Sequence, residues 1–465
     1  MVPAQETTGH WAQRLTELAA ASRVAGATLG IWAGGQEMLA AWGVLSTATH
    51  VPVTTDAVFQ IGSITKLWTA TMIMQLVEAD LLSLGTSVAE VLPGIRLTSA
   101  DVGAQVTMRQ LVTHTSGIDG DLFTDTGRGD DCLERYVAGL AGVPLVFGPG
   151  QAYSYCNSGF VLLGRIIEVL DGRSWDASLR ERLIGPLGLT RTGTLPEEAI
   201  VHRAAVGHRT PPAQDRAVSV WGLPRSIGPA GLITASAADV LAFARMHLAG
   251  GTAADGTRIL TPQSVSAMRE RQVAIPGDFG RGGALGVTWR LFQCGEREII
   301  GHDGATVGQS AYLRVDPQAE VAACLLTNAP RADGVYEELF SEIFGEYAGV
   351  EMPRNPGPLA QAGGAAGLSE AQLGRHAGRY ERTSRRFEVS VRGGQLHALV
   401  TVTGERGELS DDEPEDLVLS PADASGDNFV CRSLERDPWT AVSFARLADG
   451  TPYIRVGGRI TLRTG

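Results

Sequence analysis

The chain has almost no lysine. Of its 39 lysine and arginine residues, all but one, Lys66, are arginine. Arginine fills most surface roles of lysine but does not give up its proton in a protein. A background that keeps a single amine points to a position where a group able to lose its proton is required. Cysteine is also sparse: Cys132, Cys156, Cys294, Cys324 and Cys431 are odd in number, scattered, and form no C-x-x-C pair. This fits a reducing compartment and offers neither a disulfide framework nor a metal site. No stretch is long and apolar enough to span a bilayer, so no membrane association is expected. Met1–His10 has no cationic start followed by an apolar run; no signal peptide is expected, and the expected location is cytoplasmic. A basic excess is missing too. The net charge of -12 speaks against nonspecific binding to nucleic acid. The Gly-x-Ser-x-Gly elbow of another hydrolase class does not occur.

What is present is a large globular chain. Charged residues make up 19% and apolar residues 44%, so the chain is not disordered, and 465 residues allow two or three domains. Trp11–Arg23 carries apolar residues at helical spacing. Ala27–Trp32 and Glu37–Trp42 read as a hairpin about Gly34-Gly35. A long helix is expected after Ser63, through Leu67, Thr71, Met74 and Val77. Strand patterns return at Gly286–Leu291, Glu298–Ile300, Ala311–Val315 and Val321–Thr327, followed by a helix over Tyr336–Tyr347. Strands at both ends with helices between predict one sheet completed by distant segments, with a helical lobe inserted. Residues 353–367, rich in Pro and Gly, read as a linker. Beyond it, about eight short strands with Gly-Gly and Asp-Gly turns predict a small barrel over 368–465. The expected division is therefore 1–352, 353–367 and 368–465.

Three segments carry candidate chemistry. Ser63 sits where an extended segment meets a helix, and unpaired N–H groups there favour developing negative charge. Lys66 is one turn on, so its amine shares a face with the serine hydroxyl. Ser-x-x-Lys is an acylation motif, provided burial lowers the lysine pKa. Tyr155 and Asn157 are two apart; in an extended turn both would face one side, the phenol to relay a proton and the amide to hold Lys66 or a substrate carbonyl. Gly301-His302-Asp303-Gly304 follows a strand, and its small residues let a substrate backbone approach. The N–H of Ala305 would join that of Ser63 as an oxyanion hole. Each segment also has a bland reading: a helix N-cap for Ser63, turn closure for Tyr155 and Asn157, a turn histidine for His302.

In this order and spacing the motifs resemble those of serine β-lactamases of the cephalosporinase type, the D-peptidases and related esterases. Ser63-x-x-Lys66 matches their first motif, Tyr155-Cys156-Asn157 their Tyr-x-Asn motif, and His302-Asp303-Gly304 a His-x-Gly variant of their Lys-Thr-Gly motif. Val106–Gly117 and Pro229–Leu232 support the match, which spans about residues 10–350. The resemblance implies an α/β/α sandwich with an antiparallel sheet and a helical lobe, a serine acyl-enzyme, and no metal or cofactor. It also places His114 in a structural turn.

Histidine in place of the third-motif lysine departs from carboxylate-binding members. The C-terminal barrel resembles the lipocalin-like domain of some D-aminopeptidases and of penicillin-binding-protein-type thioesterases, the surugamide-cyclase-like group that the chain resembles most. That resemblance implies a stand-alone cyclase. It would take a nonribosomal peptide as a thioester from a peptidyl carrier protein onto Ser63, with Lys66 as base, Tyr155 and His302 assisting proton transfer, and a D-configured acylating residue. Arg446 in the barrel is a candidate substrate contact, and Arg180, Arg182 and Arg191 are candidate carrier contacts. The rival expectation is an esterase or D-stereospecific aminopeptidase using water on the same site.

Overall fold

Strand alternation sets the central architecture. The computed structural model describes residues 4–98, 100–209, 216–277, 283–355, 357–359, 368–403, 414–433 and 439–465. Strands β1 (Gly26–Ala33) and β2 (Gln36–Gly43) form the N-terminal hairpin, and β3 (Phe59–Gln60) pairs with β4 (Thr234–Ala235) in a small separate sheet. β5 (Val273–Ala274), β6 (Ala284–Leu285), β7 (Arg290–Cys294), β8 (Arg297–Ala305), β9 (Ser310–Asp316) and β10 (Val321–Thr327) complete the main sheet. Its order is β2-β1-β10-β9-β8-β7-β6-β5, antiparallel throughout, with β1 registered on β10 from Ala27↔Thr327 to Trp32↔Ala322.

Successive side chains on a strand point to opposite faces. On β10, Val321, Ala323 and Leu325 enter one layer with Trp11, Leu15, Leu339 and Phe340, which come from helices Ala4–Ala21 and Asp333–Ala348. Ala322, Cys324 and Leu326 enter the opposite layer, with Trp68, Phe160 and Phe243 of the inserted lobe. The result is the expected α/β/α sandwich. Two expected strands differ. Of the run expected at 286–291 only Arg290 and Leu291 are strand, in β7; residues 286–289 form a turn in which Thr288 takes φ 69° and donates its hydroxyl to the Val112 carbonyl. β8 is longer than expected because β9 pairs with it as far as Ala305↔Ser310, so His302–Gly304 lie within a strand and not in a turn.

The C-terminal region is a closed barrel of eight strands in sequential order: β11 (Gly378–Arg382), β12 (Arg385–Arg392), β13 (Gln395–Val402), β14 (Glu415–Pro421), β15 (Asn428–Cys431), β16 (Thr440–Arg446), β17 (Pro452–Val456) and β18 (Arg459–Arg463). β11 pairs with β18 through Tyr380↔Arg463, which leaves no free edge. Inward residues such as Phe387, Leu396, Phe429, Phe444 and Ile454 fill the interior. Much of the expected linker, Pro356 and residues 360–367, lies outside the described residues.

The barrel packs on the lobe through Leu447, Tyr453 and Ile460 against Phe147. Beside this contact Arg382 reaches Asp119 at 3.1 Å and Asp121 at 2.7 Å, with Arg382 and Asp119 at 5% and 1% exposure. Removing one partner of a buried ion pair strands the others without compensation. Arg382→Ala is therefore expected to destabilise the protein by about 3–5 kcal/mol. A thermal melt should show a lower midpoint; an unchanged midpoint would mean that the pair is solvated.

Candidate active site

The site begins with two strands of backbone in contact. Gly62 has φ +52°, and a Cβ there would lie 2.6 Å from the Ala305 nitrogen; one on Gly304 would lie 1.9 Å from the Ile61 carbonyl oxygen. Only glycine permits this approach, which sets the first turn of the Ser63 segment against the end of β8. Thr306 donates its N–H to Gln309 across the β8–β9 turn, so antiparallel alternation turns the Ala305 N–H away from β9, toward Ser63. Ser63 lies in the tight turn Gly62–Ile64 that leads into helix Thr65–Glu78, where the first N–H groups have no partner within the helix. The contact thus sets the Ser63 backbone beside that of Ala305.

Lys66 is fully buried, with Nζ donating to Ser63 Oγ at 3.0 Å and to the Ala230 carbonyl at 2.6 Å. The Gly228–Gly231 turn therefore holds the amine. Burial lowers the lysine pKa well below its ordinary value, and the charge of Arg459 lowers it further. Burial thus favours the neutral amine over the ammonium. Tyr155 lies beneath it, with Nζ 4.9 Å from the ring centre. Burial raises the phenol above its usual range, while contact with Ser63 and the charge of Arg459 pull it partly back. Its hydroxyl lies against Ser63 without a well-aligned hydrogen bond in the free site. Tyr155 is accordingly held as a neutral phenol.

His302 Nδ1 lies 2.7 Å from the Asp303 carbonyl, which assigns the proton to Nδ1 and leaves Nε2 as an unpaired acceptor. Burial and the neighbouring Lys66 push its pKa down to about 3, so it is uncharged at neutral pH. Asn157 opens helix Asn157–Asp171 and does not bond Lys66; its amide faces Asp121 at 3.5 Å. Of the two roles expected for Asn157, holding Lys66 or a substrate carbonyl, the first is not made here; the amide meets Asp121 at the domain interface. Arg446 is not brought to this site: it lies at the exposed end of β16 and donates to the Gly450 carbonyl at 2.8 Å. Other barrel groups take that place. In the β17–β18 turn Gly458 accepts the Tyr155 N–H at 3.0 Å, Arg459 lies 4.8 Å over the Tyr155 ring, and Arg455 donates to the Tyr153 carbonyl at 3.2 Å. The cleft, about 430 Å³, is thus walled by both domains.

His114 and Asp121 are the groups that motif spacing passed over. His114 accepts the Cys156 N–H on Nδ1 at 3.0 Å, and its ring lies 4.4 Å from that of Tyr155. It holds φ 58°, an uncommon conformation for a residue with a side chain. The stretch 114–120 forms a mould for the Tyr155 loop: the His114 carbonyl accepts from Ser154, and the Gly120 carbonyl from Asn157. His114 belongs to a structural turn, as expected, but that turn positions a catalytic candidate. Cys156, beside it, is buried, and burial pushes its thiol up to about 12.

Two outcomes follow from this geometry. His114→Leu should slow Ser63 acylation by a p-nitrophenyl ester about 10- to 100-fold by misplacing Tyr155. His114→Asn keeps an acceptor and tolerates positive φ, and should recover most of the rate; equal loss in both would remove the positioning role. Arg459→Gln removes a cation that disfavours protonated Lys66, so the lysine pKa rises. The acidic limb of the pH–rate profile should move to higher pH; a limb that stays in place would separate Arg459 from the base.

A family model described as Beta-lactamase matches residues 11–343. Penicillin-binding protein 4 of Amycolatopsis lactamdurans is 46% identical over 355 residues, 76% of this chain and 93% of that protein. Among solved structures, SurE aligns with TM-score 0.75 and 28% identity over 99% of this chain and 100% of its own. An octameric penicillin-binding protein homologue from Pyrococcus abyssi aligns with TM-score 0.63 and 23% identity over 96% of this chain and 98% of its own, a likeness of fold. With Ser63, Lys66 and Tyr155 gathered on one side of a β-lactamase sandwich, the chain belongs to the β-lactamase and penicillin-binding-protein family of serine enzymes.

Proposed function

We propose that this protein takes a peptidyl thioester from a carrier protein of a nonribosomal peptide synthetase onto Ser63 and releases the peptide by head-to-tail macrolactamisation. The observation that carries this reading is the wall built by the barrel. The β17–β18 turn rests on Tyr155, so the acyl-enzyme would form in a cleft bounded by both domains. Cyclisation needs the peptide's own amine held close to the ester, and good orientation is worth roughly 7–11 kcal/mol against a free bimolecular attack. It also needs water kept away, which a two-domain cleft favours. The whole-length likeness to SurE supports the same arrangement, and the barrel is of the eight-stranded up-and-down type that lipocalins share.

The third-motif position supports a thioester over a substrate with a free carboxylate next to the scissile bond, although Arg290, Arg331, Arg455 and Arg459 line the wider cleft. His302, where other members of the family carry lysine, is neutral and offers an acceptor. In the first half-reaction Lys66 takes the Ser63 proton as Oγ attacks the thioester carbonyl. The N–H groups of Ser63 and Ala305 hold the oxyanion, each such donor being worth about 3 kcal/mol. The C–S bond breaks as the proton passes from Lys66 through the Tyr155 hydroxyl to sulfur, and the thiol leaves. In the second half the peptide amine attacks the ester; its proton returns through Lys66 to Oγ, with His302 Nε2 accepting a hydrogen bond from the nucleophile. A solved structure of SurE with D-Leu fits a D-configured acylating residue here.

A second reading is favoured by one observation, the 46% identity to a penicillin-binding protein. There the acyl-enzyme would go to water, as in an esterase or a D-peptidase. A mass-spectrometric assay separates the two, using a pantetheine thioester of a hexapeptide ending in a D-residue, its L-ended isomer and the Ser63→Ala variant. Thiol release with a product one water lighter than the free acid, for the D-ended peptide alone and absent in the variant, is expected. Linear acid only, or cleavage of simple esters and D-amino-acid amides while the thioester is untouched, would establish the hydrolase.

A further inference from the structure

A second cavity of about 470 Å³ lies behind the catalytic cleft, and the two share Tyr153, Pro276 and Arg455 in their walls. Its sides come from the helical lobe, the β5 edge of the sheet and the end of β16. Three arginines line it, Arg109, Arg446 and Arg455, and no aspartate or glutamate is among the described lining residues. That runs against the composition of the chain, in which 51 acidic residues outnumber 39 basic ones. It also runs against local habit. Arg180, Arg182 and Arg191, the arginines first considered for carrier contact, face Glu198, Asp171 and Asp56.

Among the described residues Arg109 and Arg446 have no such partner. Arg109 donates to the amide oxygen of Gln272 and Arg446 to the Gly450 carbonyl, both neutral acceptors. Each guanidinium is exposed, charged and free to turn its remaining N–H groups on an anion. Between them, Val273, Ala274 and Leu447 give the cavity an apolar stretch, and Arg455, at 4% exposure, anchors the partition toward the cleft by donating to Pro276 and Tyr153. Two arginines in the lining, an apolar stretch and a wall shared with the catalytic cleft match an elongated ligand with a phosphate at one end and a reactive acyl group at the other.

We propose that this cavity seats the arm of a 4′-phosphopantetheine thioester, with Arg109 and Arg446 binding its phosphate. The proposal rests on the thioester reading above and adds the recognition of the arm. Arg446 thereby has a substrate contact, at the carrier end of the ligand and not at the reacting carbonyl.

The test has a binding part and a kinetic part. Titration calorimetry on the full chain uses 4′-phosphopantetheine, pantetheine and inorganic phosphate, none of which is consumed. The phosphorylated arm should bind roughly tenfold or more tightly than pantetheine, as expected for hydrogen bonds to a charged group, and the Arg109→Gln/Arg446→Gln double variant should erase the difference. The kinetic part compares KM for one peptidyl group on phosphopantetheine and on pantetheine; the wild type should favour the former by a similar factor and the double variant should not. Equal binding of both arms, or phosphate binding with no gain for the phosphorylated arm, would overturn the proposal. Failure of the wild type to turn over either thioester, with arm binding intact, would instead overturn the thioester reading.

Discussion

The carboxylate of Asp121 joins the two domains at the catalytic site. It accepts from Arg382 at 2.7 Å and from Arg459 at 2.8 Å, both from the barrel, and faces Asn157 of its own lobe. Burial alone would favour its protonated form, but the two guanidinium groups hold the carboxyl well below the usual range, so it remains an anion. Through Arg459 it sets a cation over the Tyr155 ring and near Lys66. The barrel is thus part of the electrostatics of the reaction and not an appended module.

Around that anchor the titratable groups nearest Ser63 are driven toward neutrality, while arginines and aspartates line the wider cleft. Lys66, His114 and His302 are buried and each is driven toward its neutral form, while Tyr155 is driven to remain protonated. A lysine at position 302 would place a second amine close to Lys66 in a poorly solvated cleft, and one of the two would lose its proton. Histidine there avoids the conflict and presents an acceptor instead.

Much of the fold was legible because it rests on local regularities. The alternation of Ala27–Trp32 and Val321–Thr327 announces paired strands, and the Gly393-Gly394, Asp449-Gly450 and Gly457-Gly458 turns divide the barrel strands as found. Where the reading slipped, a tertiary contact intervened. The turn at Thr288 exists because its hydroxyl meets Val112, 176 residues away, and β8 extends through His302 because β9 lies beside it. Neither partner leaves a mark in the neighbouring sequence. Arg459 and Asp121 are 338 residues apart, and no spacing rule connects them.

By itself the sequence determined the chemistry available: one lysine one turn from a serine, a tyrosine two residues from an asparagine, and small residues after a strand, all of them local relations that the backbone period enforces. Tertiary structure decided what those groups are. It buried Lys66 and so shifted it toward the neutral amine, turned His114 from a loop residue into the support of Tyr155, and brought Arg459 rather than Arg446 into the cleft. The physical reason is that protonation state and placement depend on solvent exclusion and on charges from distant segments, and these exist only once the barrel has closed over the lobe.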